Sequence, residues 1–153
     1  MSGPLPAGRL WASGAVAAAT ATIINVVLYG IARSAGVSFD IPLGMAGDVT
    51  ATPERMIGAI VFNSVVPFAL GLALTALVAR RTPQRLRMMQ IIAVVVTVLS
   101  FAQPVLLDAG VLTRTVLALM HIPPGLAFVL ALQRLRDTGT APQVAREAVS
   151  DRH

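Results

Sequence analysis

The sequence predicts an all-α integral membrane protein whose four spanning helices form an up-down-up-down bundle. Four apolar stretches, separated by more polar connections, each approach the roughly 20 residues that cross a bilayer core. Only 12% of the 153 residues are charged, whereas soluble domains average about 25%. The mean hydropathy of +0.77 is correspondingly high. Together these observations indicate a single membrane domain.

The predicted spans are residues 10–32, 56–79, 88–107 and 115–132, within a transmembrane domain of residues 1–132. Thr52 and Pro53 mark a helix start, because Thr is a good N-cap and Pro suits the first helical position. Residues 33–55 form an external loop whose glycines and prolines discourage a continuous helix. Its apolar residues leave two interpretations open, an ordered surface loop or a lid folded back over the bundle.

The other two connections, at residues 80–87 and 108–114, are short. Short connections favour antiparallel neighbours in a bundle. Beyond residue 132 the chain becomes polar and contains Gly139 and Pro142. We expect residues 133–153 to be a cytoplasmic tail that is mostly disordered, with a brief helix at 143–149.

The distribution of arginines predicts the orientation. Lysine is absent, and nine of the twelve arginines flank the N-terminus, the second connection and the tail, whereas three lie beside the first and third connections. Because positively charged flanks stay on the cytoplasmic side, we expect both termini to be cytoplasmic in a multi-pass protein of the cell membrane. The basic residues therefore indicate topology rather than nucleic-acid binding.

Small and polar residues recur every fourth position in the first two spans, which predicts close packing between them. In the first span the row is Ser13, Ala17, Ala21, Asn25 and Tyr29, and in the second it is Asn63, Pro67, Gly71 and Thr75.

Polar side chains also recur at one depth in all four spans. They lie about 4–7 residues from the outer ends, on the order of 6–11 Å below the boundary at 1.5 Å per residue. Such residues serve either as hydrogen bonds between helices or as a binding site. The candidate ligand-binding residues of this outer-half polar layer are Asn25, Asn63, Ser100, Gln103 and His121.

His121 is the only ionisable residue inside a span. Three interpretations stay open: a hydrogen-bonded structural histidine, a ligand contact, or proton or metal chemistry. The chain has no cysteine, and no second histidine or carboxylate lies within the spans to complete a haem or zinc site. We therefore expect no catalytic residue, no bound metal and no cofactor.

The stretch Thr113-Arg114-Thr115-Val116-Leu117-Ala118-Leu119-Met120-His121 resembles a family of small actinobacterial membrane proteins, domain of unknown function 6069. The resemblance covers most of the chain, including residues 25–33, Arg80-Arg81, and Leu99-Ser100 with Pro104. It implies four spans and supplies no chemistry.

Three hypotheses for function follow. The first is a non-enzymatic protein that uses the polar layer to bind a small hydrophobic ligand, a lipid or a partner membrane protein. The second is a small oligomeric transporter or channel, although no carboxylate lies within a span to couple protons. The third is a membrane enzyme using His121 with Asp40, Asp48 or Asp108, for which no catalytic motif is present. The expected partners are the lipid bilayer and a second copy or another membrane protein, not nucleic acid.

Overall fold

The computed structural model describes residues 7–39, 41–43, 49–50, 52–79 and 85–150, and it confirms the all-α four-helix membrane bundle. Four helical spans are long and apolar enough to cross a membrane, at Gly8–Ser34, Pro53–Val78, Arg85–Leu106 and Val111–Arg136. The third and fourth spans are each interrupted once. In chain order the elements are α1 (Ala7–Ser34), β1 (Pro42–Leu43), β2 (Val49–Thr50), α2 (Pro53–Ala79), α3 (Arg85–Ser100), α4 (Ala102–Leu106), α5 (Val111–Leu119) and α6 (Ile122–Ser150).

The helices form a ring in which α1 lies between α2 and α6, and α3 packs against α2 and α6. Two ends follow from this arrangement. The arginine-rich end carries Arg9, Arg85, Arg87, Arg134 and Arg136, and the loop end carries the segment before α2 and the connection between α4 and α5.

Glycines allow the helices to approach closely at three interfaces. A Cβ added at Gly14 of α1 would overlap Leu72 of α2, and one added at Gly125 of α6 would overlap Thr97 of α3. A Cβ at Gly71 of α2 would lie 2.9 Å from the ring of Phe128 in α6. Small residues therefore set the packing, as is usual where helices associate in lipid.

The end of α1 directs the chain back over the bundle. Gly36 has a φ of +82°, which glycine adopts at low cost, and the Val37 amide donates to the Ala32 carbonyl at 3.0 Å. This Schellman arrangement satisfies the carbonyls at the end of the helix. The chain then buries Phe39 in an edge-to-face contact with Tyr29, with ring centroids 4.9 Å apart.

Two further contacts hold this returning segment, residues 37–39 and 41. The Thr113 hydroxyl of α5 donates to the Ser38 carbonyl at 2.6 Å, and Ile41 is buried in the same cluster as Met56 of α2. The short antiparallel pair β1 and β2 follows, with Pro42 opposite Thr50. The start of the predicted external loop thus packs onto the loop end of the bundle. Thr52 then caps α2 as expected, accepting a hydrogen bond from the Arg55 amide at 3.4 Å.

The outward surface of the bundle carries large apolar side chains on all four spans. Large aliphatic side chains such as Ile23, Leu70, Leu99 and Leu126 are more than half exposed. Soluble monomers rarely expose a continuous surface of this kind, whereas acyl chains cover it favourably. This surface is the physical basis for describing the chain as a multi-pass membrane protein.

Two details of the sequence analysis differ from the structure. The buried face of α2 is formed by Met56, Ile60, Ser64, Phe68, Leu72 and Thr75, so the row that begins at Asn63 reaches this face only at its far end. The tail also differs, because α6 continues as helix to Ser150 through Gly139 and Pro142.

Candidate functional site

The centre of the candidate site is the break between α5 and α6, where the chain contains two consecutive prolines. Pro123 and Pro124 have no amide hydrogen, so the carbonyls of Leu119 and Met120 lose their usual partners four residues later. At the same place the His121 amide donates to the Ala118 carbonyl at 3.0 Å, a tighter turn that bypasses the carbonyl of Leu117. The break therefore leaves backbone acceptors inside a membrane span.

Asn25 of α1 satisfies one of these acceptors. Its Nδ2 donates to the Met120 carbonyl at 2.9 Å, and the side chain is only 4% exposed. Because a carbonyl accepts only from the NH2 group, this bond fixes which way the amide points. Oδ1 then lies buried with no donor, and it is the one such buried side-chain atom in the described residues. Asn25 thus joins α1 to the break and keeps an unused acceptor in the interior.

His121 satisfies a second acceptor. Its Nδ1 lies 2.7 Å from the Leu117 carbonyl, so Nδ1 carries a hydrogen and donates it to this carbonyl. The ring also lies near Phe101, with centroids 6.2 Å apart. These contacts support the structural interpretation of His121, because the side chain repairs the break in its own helix.

Ser100 lies at a corresponding break in the third span. Pro104 cannot donate to the Ser100 carbonyl, and the helix is interrupted at Phe101 between α3 and α4. The Ser100 hydroxyl donates to the Thr97 carbonyl at 2.6 Å. The half-buried Ser100 therefore bonds within its own helix.

Asn63 and Gln103 do not join this group. Both side chains are exposed on the outside of the bundle, whereas Asn25 is buried inside it. Asn63 and Gln103 therefore do not lie in the interior of the bundle with Asn25. Among the described residues, the amide of Asn63 has no hydrogen-bond partner.

Among the described residues, no acidic side chain is hydrogen-bonded or ion-paired to His121. Asp40, Asp48 and the Arg80-Arg81 turn lie outside the described residues, and Asp108 is exposed. Within the described part of the chain, no group of three His, Cys, Asp or Glu residues could hold a metal ion.

Sequence reasoning did not identify two polar groups that join helices. Gln90 of α3 donates from Nε2 to the Val129 carbonyl of α6 at 3.3 Å, and Arg136 donates to Gln90 Oε1 at 2.7 Å. Ser64, buried in α2, was also not singled out. The only signal for Gln90 was its distance of one turn from Arg87, which suggests an ordinary polar helix end.

The fold and these contacts define a small integral membrane protein with four helical spans. The chain belongs to the family of unknown function DUF6069, which it matches over residues 5–138. Neither the curated proteins nor the solved structures contain a match to this chain.

Proposed function

We propose that the protein is a non-catalytic, self-associating protein of the cell membrane, with both termini cytoplasmic, in which Asn63 binds Asn63 of a second copy. The observation that carries this proposal is the outward position of the Asn63 amide on an apolar helix. Polar side chains in membrane spans face a protein partner or a water-filled cavity far more often than lipid. An amide that faces away from its own bundle therefore indicates a partner outside it.

The depth of Asn63 makes lipid an unsuitable environment. Asn63 lies ten residues after Pro53 and sixteen before Ala79 in α2, or about 15 Å and 24 Å from the two helix ends. Wherever a hydrocarbon layer about 30 Å thick lies along the length of this helix, Asn63 is at least roughly 6 Å below the nearer surface of that layer. The asparagine side chain is too short to reach the interface from there, so its amide needs a protein partner.

A second copy fits this need well. The asparagine amide has both a donor and an acceptor, so two identical side chains across a two-fold axis satisfy each other. When that axis is perpendicular to the membrane, the two Asn63 residues also lie at equal depth. The neighbouring Phe62 and Leu70 are 63% and 61% exposed, and they provide apolar area for the contact.

The test is dilution of fluorescently labelled protein in liposomes, with association measured by energy transfer. We expect Asn63→Leu to weaken association about 3- to 30-fold, the range of interhelical polar contacts in lipid. Asn63→Gln keeps the amide and should retain most of the association. Gln103→Leu is the matched control, since it removes an outward amide only three residues from the end of α4.

Two results would overturn this proposal. One is a wild-type protein that stays monomeric at every lipid dilution, which would indicate a different membrane protein as partner. The other is an Asn63→Leu variant that associates as strongly as wild type, because the amide would then contribute nothing to the contact.

A second candidate function rests on Asn25 Oδ1, the buried acceptor without a donor. It favours binding of a small hydrophobic molecule that carries an O–H or N–H group. Native mass spectrometry of gently extracted protein, with a visible absorption spectrum, would detect an extra mass or chromophore. Loss of that signal in Asn25→Leu but not in Asn63→Leu would support an interior ligand. A wild-type protein that carries no extra mass would reject this candidate, because the partner of Oδ1 would then be a water molecule.

A further inference from the structure

A groove between α3 and α6 at the arginine-rich end differs from the rest of the outward surface. Its volume is about 420 Å³, and it is basic at one end and apolar along its walls. The residues that define it are Arg87, Gln90, Ile91, Val94, Val129 and Arg136.

A chain of hydrogen bonds fixes the basic end. Gln90 binds the Val129 carbonyl across the groove, and its Oε1 accepts from Arg136 at 2.7 Å. The guanidinium of Arg136 is therefore held at the groove by Gln90, although the side chain is exposed. Arg87 lies one turn before Gln90 on the same face of α3 and is exposed.

We propose that this groove binds an anionic phospholipid of the surrounding bilayer. The phosphate contacts Arg87 and Arg136, and one acyl chain lies along Ile91, Val94 and Val129. Guanidinium groups match phosphate oxygens in geometry and charge, and basic pockets between spanning helices suit acidic headgroups.

The dimensions and charge of this end agree with such an occupant. Arg87 and Val94 are seven residues apart, or about 10 Å along α3, which places the phosphate near the interface and the chain in hydrocarbon. In the sequence, residues 80–90 and 130–137 contain six arginines and one acidic residue, Asp137. The local excess of positive charge favours an anionic headgroup over a zwitterionic one.

The test is native mass spectrometry of the full chain with equal amounts of phosphatidylglycerol and phosphatidylcholine. We expect wild type to retain phosphatidylglycerol selectively, and Arg87→Gln combined with Arg136→Gln to lower that preference on the order of 10- to 30-fold, given the usual attraction of each arginine for an anionic surface. Arg9→Gln removes one charge from an exposed position at the same end, outside the groove, and should leave the preference close to that of wild type.

A third variant separates the groove from its charge. Val94→Trp fills the groove without changing the charge, and we expect it to reduce phosphatidylglycerol adducts as well. It also decides the matter if the double arginine variant does not fold. Adducts with glycerol 3-phosphate that equal those with phosphatidylglycerol would overturn the proposal, since the acyl chain would then contribute nothing. An equal loss of phosphatidylglycerol preference in Arg9→Gln would also overturn the proposal. The same holds for a Val94→Trp variant that keeps its phosphatidylglycerol adducts but loses self-association.

Discussion

At the scale of single residues, Asn25 and Pro124 are complementary. Proline at position 124 removes the amide hydrogen that would bind the Met120 carbonyl, and the Asn25 side chain supplies one from another helix at 2.9 Å. The same exchange occurs at the break between α5 and α6, where His121 Nδ1 donates to the Leu117 carbonyl of α5. Side chains thus replace backbone donors that the break removes, which a membrane span requires because water is absent.

This complementarity predicts a coupled effect on stability. Asn25→Leu leaves the Met120 carbonyl without a donor, and we expect it to lower the free energy of unfolding by about 1–2 kcal/mol. In a Pro124→Leu background the backbone amide at position 124 can bind that carbonyl, so the same substitution should cost less. A double-mutant cycle measured by unfolding in mixed micelles checks this coupling.

Equal costs of Asn25→Leu in the two backgrounds would contradict the coupling, because Asn25 would then act independently of the proline. Asn25→Leu also removes the buried Oδ1 acceptor that has no donor, and this removal by itself raises the stability of the variant. Asn25→Ser, which retains a donor on a shorter side chain, is the control that separates lost hydrogen bonding from lost volume.

The sequence singled out Asn25 and His121 as candidate residues but did not predict their partners. Both are polar residues in apolar spans at similar depth, which is visible in the chain. Their acceptors are backbone carbonyls. The Met120 carbonyl is available because Pro124 has no amide hydrogen, whereas the Leu117 carbonyl is available because of the local turn in which the His121 amide donates to Ala118. A turn of this kind depends on tertiary packing, so residue type and spacing alone could not specify it.

At the scale of helices, the sequence predicted close packing of small residues but assigned the wrong face to part of α2. A row of residues at four-residue spacing turns by about 40° per step around a helix with 3.6 residues per turn. Three steps from Asn63 to Thr75 therefore turn the row by about 120°. This rotation explains why Thr75 is buried while Asn63 is exposed. Hydrophobicity could not correct the error, because in a membrane the outward face is also apolar.

The glycine contacts give a prediction for the interface between α3 and α6. We expect Gly125→Ala to destabilise the bundle by about 1–3 kcal/mol, because the new Cβ overlaps Thr97. Thr97 cannot turn away easily, since it is branched at Cβ and its hydroxyl is bound to the Ala93 carbonyl at 2.8 Å.

Gly58→Ala is the matched control for this prediction. It adds the same methyl group to α2 where no atom lies within 4 Å. It should leave stability unchanged or raise it by up to about 1 kcal/mol through helix propensity. Thermal unfolding in one detergent compares the two, and similar losses in both variants would contradict a contact-specific effect.

The returning segment gives a second prediction at this scale. Thr113→Val removes the hydroxyl that binds the Ser38 carbonyl, and we expect faster hydrogen exchange in residues 37–41, by roughly fivefold for a bond of about 1 kcal/mol. Thr115→Val is the control, because its hydroxyl binds Val111 within α5. Faster exchange in both variants would indicate general loosening of α5 rather than release of this segment.

At the scale of the whole molecule, the number of spans and the class of fold followed from the sequence alone. Four apolar stretches of the right length admit few alternatives, since each must satisfy its backbone as a helix in lipid. The course of the returning segment, residues 37–39 and 41, over the loop end could not be predicted from the sequence. It depends on Gly36, Tyr29 and Phe39 meeting in three dimensions, although the apolar character of the loop left this arrangement open. The helical continuation to Ser150 was also not predicted.

The arrangement of charges predicts which end of the molecule faces the cytoplasm. The arginine-rich end should be cytoplasmic, because translocating several arginines across the membrane is unfavourable. The chain has no cysteine, so single cysteines report accessibility without background. We expect Ser34→Cys, exposed at the loop end, to react with a membrane-impermeant maleimide in intact cells. Thr138→Cys, beyond the last span, should react only after permeabilisation. The reverse pattern would place the arginines outside, and reaction of both in intact cells would indicate mixed orientations.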